Sequence, residues 1–130
     1  MTGAAPAIAR GRLPRAARVR KRPEFLAIQA RGRRITTAHF VFALMMSPSH
    51  GGSARLGITA SRKIGNAVVR NRAKRLIREA FRATSELWPP GIDVVVLVRR
   101  SLEQTKLAAV VEEWLGAASS LRKAIRALHK

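Results

Sequence analysis

From Ser61 to Arg82 the chain reads SRKIGNAVVRNRAKRLIREAFR, with eight Lys or Arg and a single acid, Glu79. Wound as a helix at about 100° per residue, this segment sorts its side chains by face. Arg70, Lys74, Arg75, Arg78 and Arg82 fall in one sector with Asn71 near its middle. Val69, Ala73, Leu76, Ile77, Ala80 and Phe81 fall in the opposite one. The fold must therefore bury one side of a surface helix and leave a dense row of cations on the other. A merely solvated charged face would carry acids at i+4 to its cations. Here Glu79 can reach Arg75 or Arg82, and the other cations of the helix have no local partner.

The rest of the chain is built around the same imbalance. In 130 residues the formal net charge is +19, with a sequence pI of about 12.0. Self-repulsion of that size disfavours a compact state unless a partner brings counter-charge. Nucleic acid is the expected partner. A membrane-active helix would set its cations beside exposed aromatic and aliphatic residues, whereas the apolar side of this helix reads as core. No apolar run approaches the roughly 20 residues that cross a bilayer, so no membrane partner is expected. Cysteine is absent, which excludes disulfides and thiolate metal sites and suits the cytoplasm.

One domain is expected over residues 22–130, preceded by a flexible basic arm over 1–21. The arm is interrupted by Gly3, Pro6, Gly11 and Pro14, and seven basic residues lie between Arg10 and Arg22. An organelle transit peptide would be richer in hydroxyl residues. Pro23–Ala30 reads as a short helix opened by Pro23 and Glu24 and stopped by Gly32. Thr36–Ser47 reads as one strand covered on both faces, and Pro48–Ser53 as a loop. A second strand follows over Arg55–Ser61. Asn66 is a natural N-cap for the basic helix, which is expected to run to about Leu87, before Pro89-Pro90-Gly91. Asp93–Arg99 reads as a buried strand opened by Asp93, whose carboxylate is expected to cap a turn. A single final helix takes its apolar side from Leu107, Val110, Val111, Trp114, Leu115, Ala118, Leu121, Ile125 and Leu128. The order helix, strand, strand, helix, strand, helix makes an α/β (α+β) two-layer sandwich.

No protein-borne active site is expected. A metal-dependent nuclease clusters its carboxylates. Of the seven acids, only Glu112 and Glu113 are adjacent, and on a helix they diverge. A metal-free ribonuclease could use two histidines as acid and base. Nothing in the sequence brings His39, His50 and His129 together, and no serine stands in a nucleophile elbow.

The run Leu56-Gly57-Ile58-Thr59-Ala60-Ser61-Arg62-Lys63-Ile64-Gly65-Asn66-Ala67-Val68, followed by Arg70-Asn71-Arg72-Ala73-Lys74-Arg75, closely resembles the bacterial ribonuclease P protein subunit. That family opens its basic helix on Arg-Asn-Arg after a Ser-basic-Lys-x-Gly turn. Pro23-Glu24-Phe25 with Gly32, and Gly91-Ile92-Asp93-Val94-Val95, resemble the family's first helix and last strand. The likeness runs from about Arg20 to Leu121.

The resemblance implies a mixed sheet with a left-handed β-α-β crossover through the basic helix, a hand rare in other folds, as in domain 2 of ribosomal protein S5. It implies a subunit that binds a large catalytic RNA and, with it, cuts the 5′ leader from precursor tRNA. The RNA carries the chemistry with its own magnesium, and the protein binds no cofactor. Arg62, Lys63, Arg70, Asn71, Arg72, Lys74, Arg75 and Arg78 would face the catalytic RNA. Phe25, Val41, Thr59, Ser61 and Lys63 would line a cleft for the single-stranded leader. By the same resemblance, Gln29 and Ala43 stand at positions of aromatics in relatives, which leaves Phe25 as the main base-stacking platform. A ribosomal or ribosome-assembly RNA-binding protein is the alternative reading.

Overall fold

A computed structural model describes residues 17–19, 22–47 and 52–129. Most of the expected N-terminal arm, and 48–51 of the expected loop, lie outside the described residues.

Helix α1 spans Arg22–Arg31 and ends where the Gly32 N–H donates back to Ile28 O at 2.8 Å. Two strands follow where one was expected. β1 is Arg33–Thr36 and β2 is Phe40–Met46, antiparallel from Arg33↔Leu44 to Thr36↔Val41. An apolar-run criterion does not see β1. Of its four residues only Ile35 is even partly buried, and backbone pairing holds the strand. β3 spans Arg55–Thr59 and β4 spans Ile92–Val98, each within a residue or two of expectation.

The sheet order is β1-β2-β4-β3, with β2 antiparallel and β3 parallel to β4. The crossover from β3 to β4 is the basic helix α2, Ala67–Ala83. It stops short of Leu87 because the Thr84 hydroxyl donates to Ala80 O at 2.7 Å and receives the Trp88 indole N–H at 3.1 Å. A 3-10 turn, Ser85–Leu87, then leads to β4. The expected final helix is two: α3, Leu107–Gly116, and α4, Ala118–Leu128, meeting at Ala117 with φ −96° and ψ 4°. The break lets Trp114 and Leu121 both reach the core across a change of axis.

Residues paired across strands share a face. On one face, Phe40, Phe42 and Leu44 join Val94, Val96 and Leu56 under the apolar sides of α2, α3 and α4. Trp114, fully buried, sits edge-on to Phe40, Phe42 and Trp88 at 5.2–5.9 Å between ring centroids. Edge-on pairs of this kind add about 0.5–1.5 kcal/mol each beyond the area they bury. On the other face a smaller cluster of Val19, Ile28, Ala43 and Val95 lies under α1, with Phe25 packed against it. The result is a sandwich of sheet and three helices, with α1 laid across part of the second face.

Asp93 does not cap a turn. It is 1% exposed, and Arg55 clamps it with Nε to Oδ1 at 2.8 Å and Nη2 to Oδ2 at 2.7 Å. Glu24 Oε2 lies 3.4 Å from the same Nη2, so the ion pairs tie α1, β3 and β4 together. The Asp93 hydrogen bonds raise the Arg55 guanidinium above its ordinary value against the opposing effect of burial. Among the described residues no helix is long and apolar enough to cross a membrane.

Candidate nucleic-acid interface

The basic helix starts where expected. Asn66 caps it, its Oδ1 accepting the Val69 N–H at 3.0 Å. Gly65 makes the turn before the cap at φ 153°, where a β-carbon would lie 2.8 Å from Val69. Ala73, Leu76, Ile77, Ala80 and Phe81 are buried, as the periodicity requires. Asn71 and Arg75 are exposed, Arg70, Lys74 and Arg78 are half-buried, and Arg62 and Lys63 stand exposed on the preceding 3-10 turn.

Every ion pair among the described residues involves Arg55 or His39. Arg62, Lys63, Arg70, Lys74 and Arg75 therefore meet no carboxylate there. Arg70 Nε is buried without a hydrogen-bond partner. Arg72 differs from its neighbours. Its Nη1 donates to Leu102 O and its Nη2 to Thr105 O at 2.8 Å, fastening α2 to the turn that leads into α3. Sequence gave no sign of this, because the receiving groups are backbone carbonyls about 30 residues away.

The second surface lies on the α1 side of the sheet. The Phe25 ring rests on Gly57, where a β-carbon would come within 2.8 Å of Phe25 Cε1. Phe25 packs against the small apolar cluster and is half-buried. Phe25 thus divides two openings. One, about 420 Å³, is lined by Arg22, Phe25, Leu26, Gln29 and Thr59. The other, about 180 Å³, leads past Gly57 to Arg18, Lys74 and Arg78, linking the groove to the basic side of α2.

Gln29 Nε2 donates to Thr59 Oγ1 at 3.0 Å, which fixes the carboxamide at the groove wall. Val41 and Thr59 both align with Leu97 in one cross-strand row, and Ser61 and Lys63 follow from the end of β3. Phe25 and Thr59 are brought together in one lining, while Val41, Ser61 and Lys63 are not part of it. Ala43 is fully buried under α1 and cannot serve as a platform. Arg22 and Leu26 line the groove and were missed. Leu26, an apolar residue beside Phe25, is 51% exposed, which only the structure reveals.

Glu113, His39 and His129 have structural partners. Glu113 Oε2 accepts the Thr37 hydroxyl at 2.5 Å and the His39 N–H at 2.8 Å, and its Oε1 lies 2.7 Å from His39 Nδ1. Burial pushes this carboxyl up, but the three contacts outweigh it and hold it below the ordinary carboxylate range. His129 Nδ1 lies 3.0 Å from Ile125 O. Among the described residues no three His, Asp or Glu converge to hold a metal ion.

The family model described as Ribonuclease P matches residues 13–122. A ribonuclease P protein component from Desulfovibrio desulfuricans is 43% identical over 95 residues, 73% of this chain and 73% of its own. One from Syntrophus aciditrophicus is 40% identical over 101 residues, 78% of this chain and 83% of its own. The solved RNase P protein from Thermotoga maritima resembles the fold with a TM-score of 0.68 at 34% identity, covering 78% of this chain and 94% of its own. That from Staphylococcus aureus gives 0.70 at 28% identity, covering 85% and 98%.

Proposed function

The chain belongs to the bacterial ribonuclease P protein family, and from that premise we propose how its two surfaces divide the removal of 5′ leaders from precursor tRNA. It is the protein subunit of a cytoplasmic ribonucleoprotein. The catalytic RNA, with its magnesium, cuts the phosphodiester. The protein lowers the repulsion between two polyanions so that substrate and metal bind together.

The cationic side of α2 and the turn before it, with Arg62, Lys63, Arg70, Asn71, Lys74, Arg75 and Arg78, sits on the catalytic RNA. Arginine suits this task because its planar fork binds phosphate bidentately and stacks on bases. Structured RNA is recognised mainly by shape, phosphates and 2′-hydroxyls, and Asn71 supplies a donor and an acceptor among the cations. Arg72 supports the row from behind through its backbone contacts.

The groove beside Phe25 takes the single-stranded leader. A base stacked on an aromatic ring contributes about 1–3 kcal/mol, and Phe25 is the one aromatic in the lining. The Gln29–Thr59 pair replaces a second platform with a hydrogen-bonding wall, so part of the leader grip here is polar rather than stacked.

The observation that carries the reading is that Arg70, Lys74 and Arg75 on α2 meet no carboxylate among the described residues, on a helix whose other side is buried and apolar. Reconstitution with the catalytic RNA tests it. Wild-type protein should stimulate cleavage of precursor tRNA at low magnesium. Arg70→Ala with Arg75→Ala should lose most of that stimulation and regain part of it at high magnesium. Protein that binds RNA without stimulating cleavage would favour a ribosomal or assembly role instead.

A further inference from the structure

Helix α4 presents a second cationic face that the function above leaves unused. Leu121, Ala124 and Ile125 are buried, and α4 packs against β1 and β2. At about 100° per residue this turns Arg122, Lys123 and Arg126 to the opposite side, where all three are exposed. Ala118–Leu128 contains no acid. Arg33, exposed on the outer strand, pairs with Leu44, whose side chain lies in the core beneath α4. Arg33 therefore stands on the α4 side of the sheet, at its free edge.

Among the described residues no carboxylate pairs with this face. β1 and β2 carry no acid. The neighbouring Ser85–Leu87 turn brings Glu86, and α3 brings Glu112 and Glu113. Glu113 is engaged by Thr37 and His39, and neither Glu86 nor Glu112 forms an ion pair among the described residues. Arg126 gains from the negative end of its helix dipole. Arg122 and Lys123 lie further from that end, and Arg122 repels Arg126 at i,i+4.

We propose that the outward side of α4, with Arg33, is a second surface for RNA phosphate backbone, separate from α2. α2 packs along β3 and α4 along β1, the two outer strands of the sheet, with α3 in contact with both helices. One protein thus offers two cationic ridges and can hold two RNA segments at once. The inference rests on the reading above only in taking RNA as the partner, and charge complementarity commits it to the phosphate backbone.

The test uses the full-length protein with Arg122→Gln, Lys123→Gln and Arg126→Gln combined. Affinity is measured from 50 to 300 mM salt against two RNAs separately, the catalytic RNA and leader-bearing precursor tRNA, with thermal melting as a folding control. Each phosphate contact contributes about 0.7–0.9 to the slope of log affinity against log salt. The slope should therefore fall by about 2 for the RNA that sits on α4. The arm in which it falls identifies that RNA. Arg70→Gln with Arg75→Gln should lower the slope for the catalytic RNA independently and additively. If the triple variant melts early, Arg122→Gln and Lys123→Gln are tested singly, each expected to remove about 0.7–0.9. An unchanged slope in both arms overturns the proposal, as does a loss confined to binding of phosphatidylglycerol vesicles. Failure of wild-type protein to stimulate cleavage would sink the subunit reading while leaving this slope result standing.

Discussion

Replacing Arg72 by alanine is expected to loosen the protein more than its hold on RNA. Arg72 donates from one guanidinium to Leu102 O and Thr105 O, across the join between α2 and the approach to α3. Hydrogen bonds from a charged donor contribute about 1.5–3 kcal/mol each when buried, and the half-buried position argues for the lower end. Losing both, and leaving two carbonyls to find other donors, should lower stability by about 2–4 kcal/mol. At roughly 4 °C per kcal/mol for a domain near this size, Tm should fall by about 8–16 °C. Arg72→Lys keeps one donor and should recover about half. The assay is urea and thermal unfolding beside the salt dependence of binding to the catalytic RNA. A clamp leaves the slope unchanged, whereas a phosphate contact lowers it by about 0.7–0.9. Wild-type stability in Arg72→Ala with a reduced slope would refute the clamp and return Arg72 to the RNA-facing row.

Gly57→Ala would set a β-carbon 2.8 Å from Phe25 Cε1 and 3.1 Å from Val19 Cβ. It should cost about 1–3 kcal/mol by overpacking and reduce precursor-tRNA affinity to that of the leaderless form. Unchanged affinity for leader-bearing substrate would mean that Phe25 does not hold the leader. Asp93→Ala leaves Arg55 without its buried partner and should destabilise by about 3–5 kcal/mol in urea unfolding, with the double variant Arg55→Met, Asp93→Leu recovering most of it. Glu113 sits below its ordinary value of 4.5, so its stabilising contribution is complete above that pH and drains away as pH falls through the lower folded value. Stability measured from pH 6 to pH 2 should show that loss in wild type, and Glu113→Gln should flatten it.

Much of the architecture was legible because it rests on local rules. The 3.6-residue period in Val69–Phe81 and the Asn66 cap place α2 and its two sides without tertiary information. Leu56 and Val94–Val98 declare their strands by β-branched and apolar content. What stayed hidden depends on partners distant in sequence. β1 is four residues with two arginines, and only pairing with β2 makes it a strand. The break at Ala117 follows from Trp114 and Leu121 sharing one core, while Gly116 alone signals only a weaker helix. Among the site residues, Asn71 and Arg75 lie where helical phase puts them, and Phe25 reaches the groove. Arg72 could not be told from Arg70 by period or residue type, since its acceptors are carbonyls of another segment. The Gln29–Thr59 bond likewise spans α1 and β3. Asp93 read as a cap because a lone acid opening a strand carries no hint of Arg55, its β3 neighbour across the ladder.

The N-terminal residues Arg18 and Val19 have a protective effect. The Val19 N–H donates to Leu56 O at 2.9 Å, and Arg18 bridges Leu56 in parallel along the outer side of β3. A bare outer strand offers its amides and carbonyls to any extended chain that meets it. A shortened protein beginning after Val19 would expose that ladder beside the cleft that Val19 helps to fill. Such a truncation should self-associate and precipitate at concentrations where the full chain stays monodisperse.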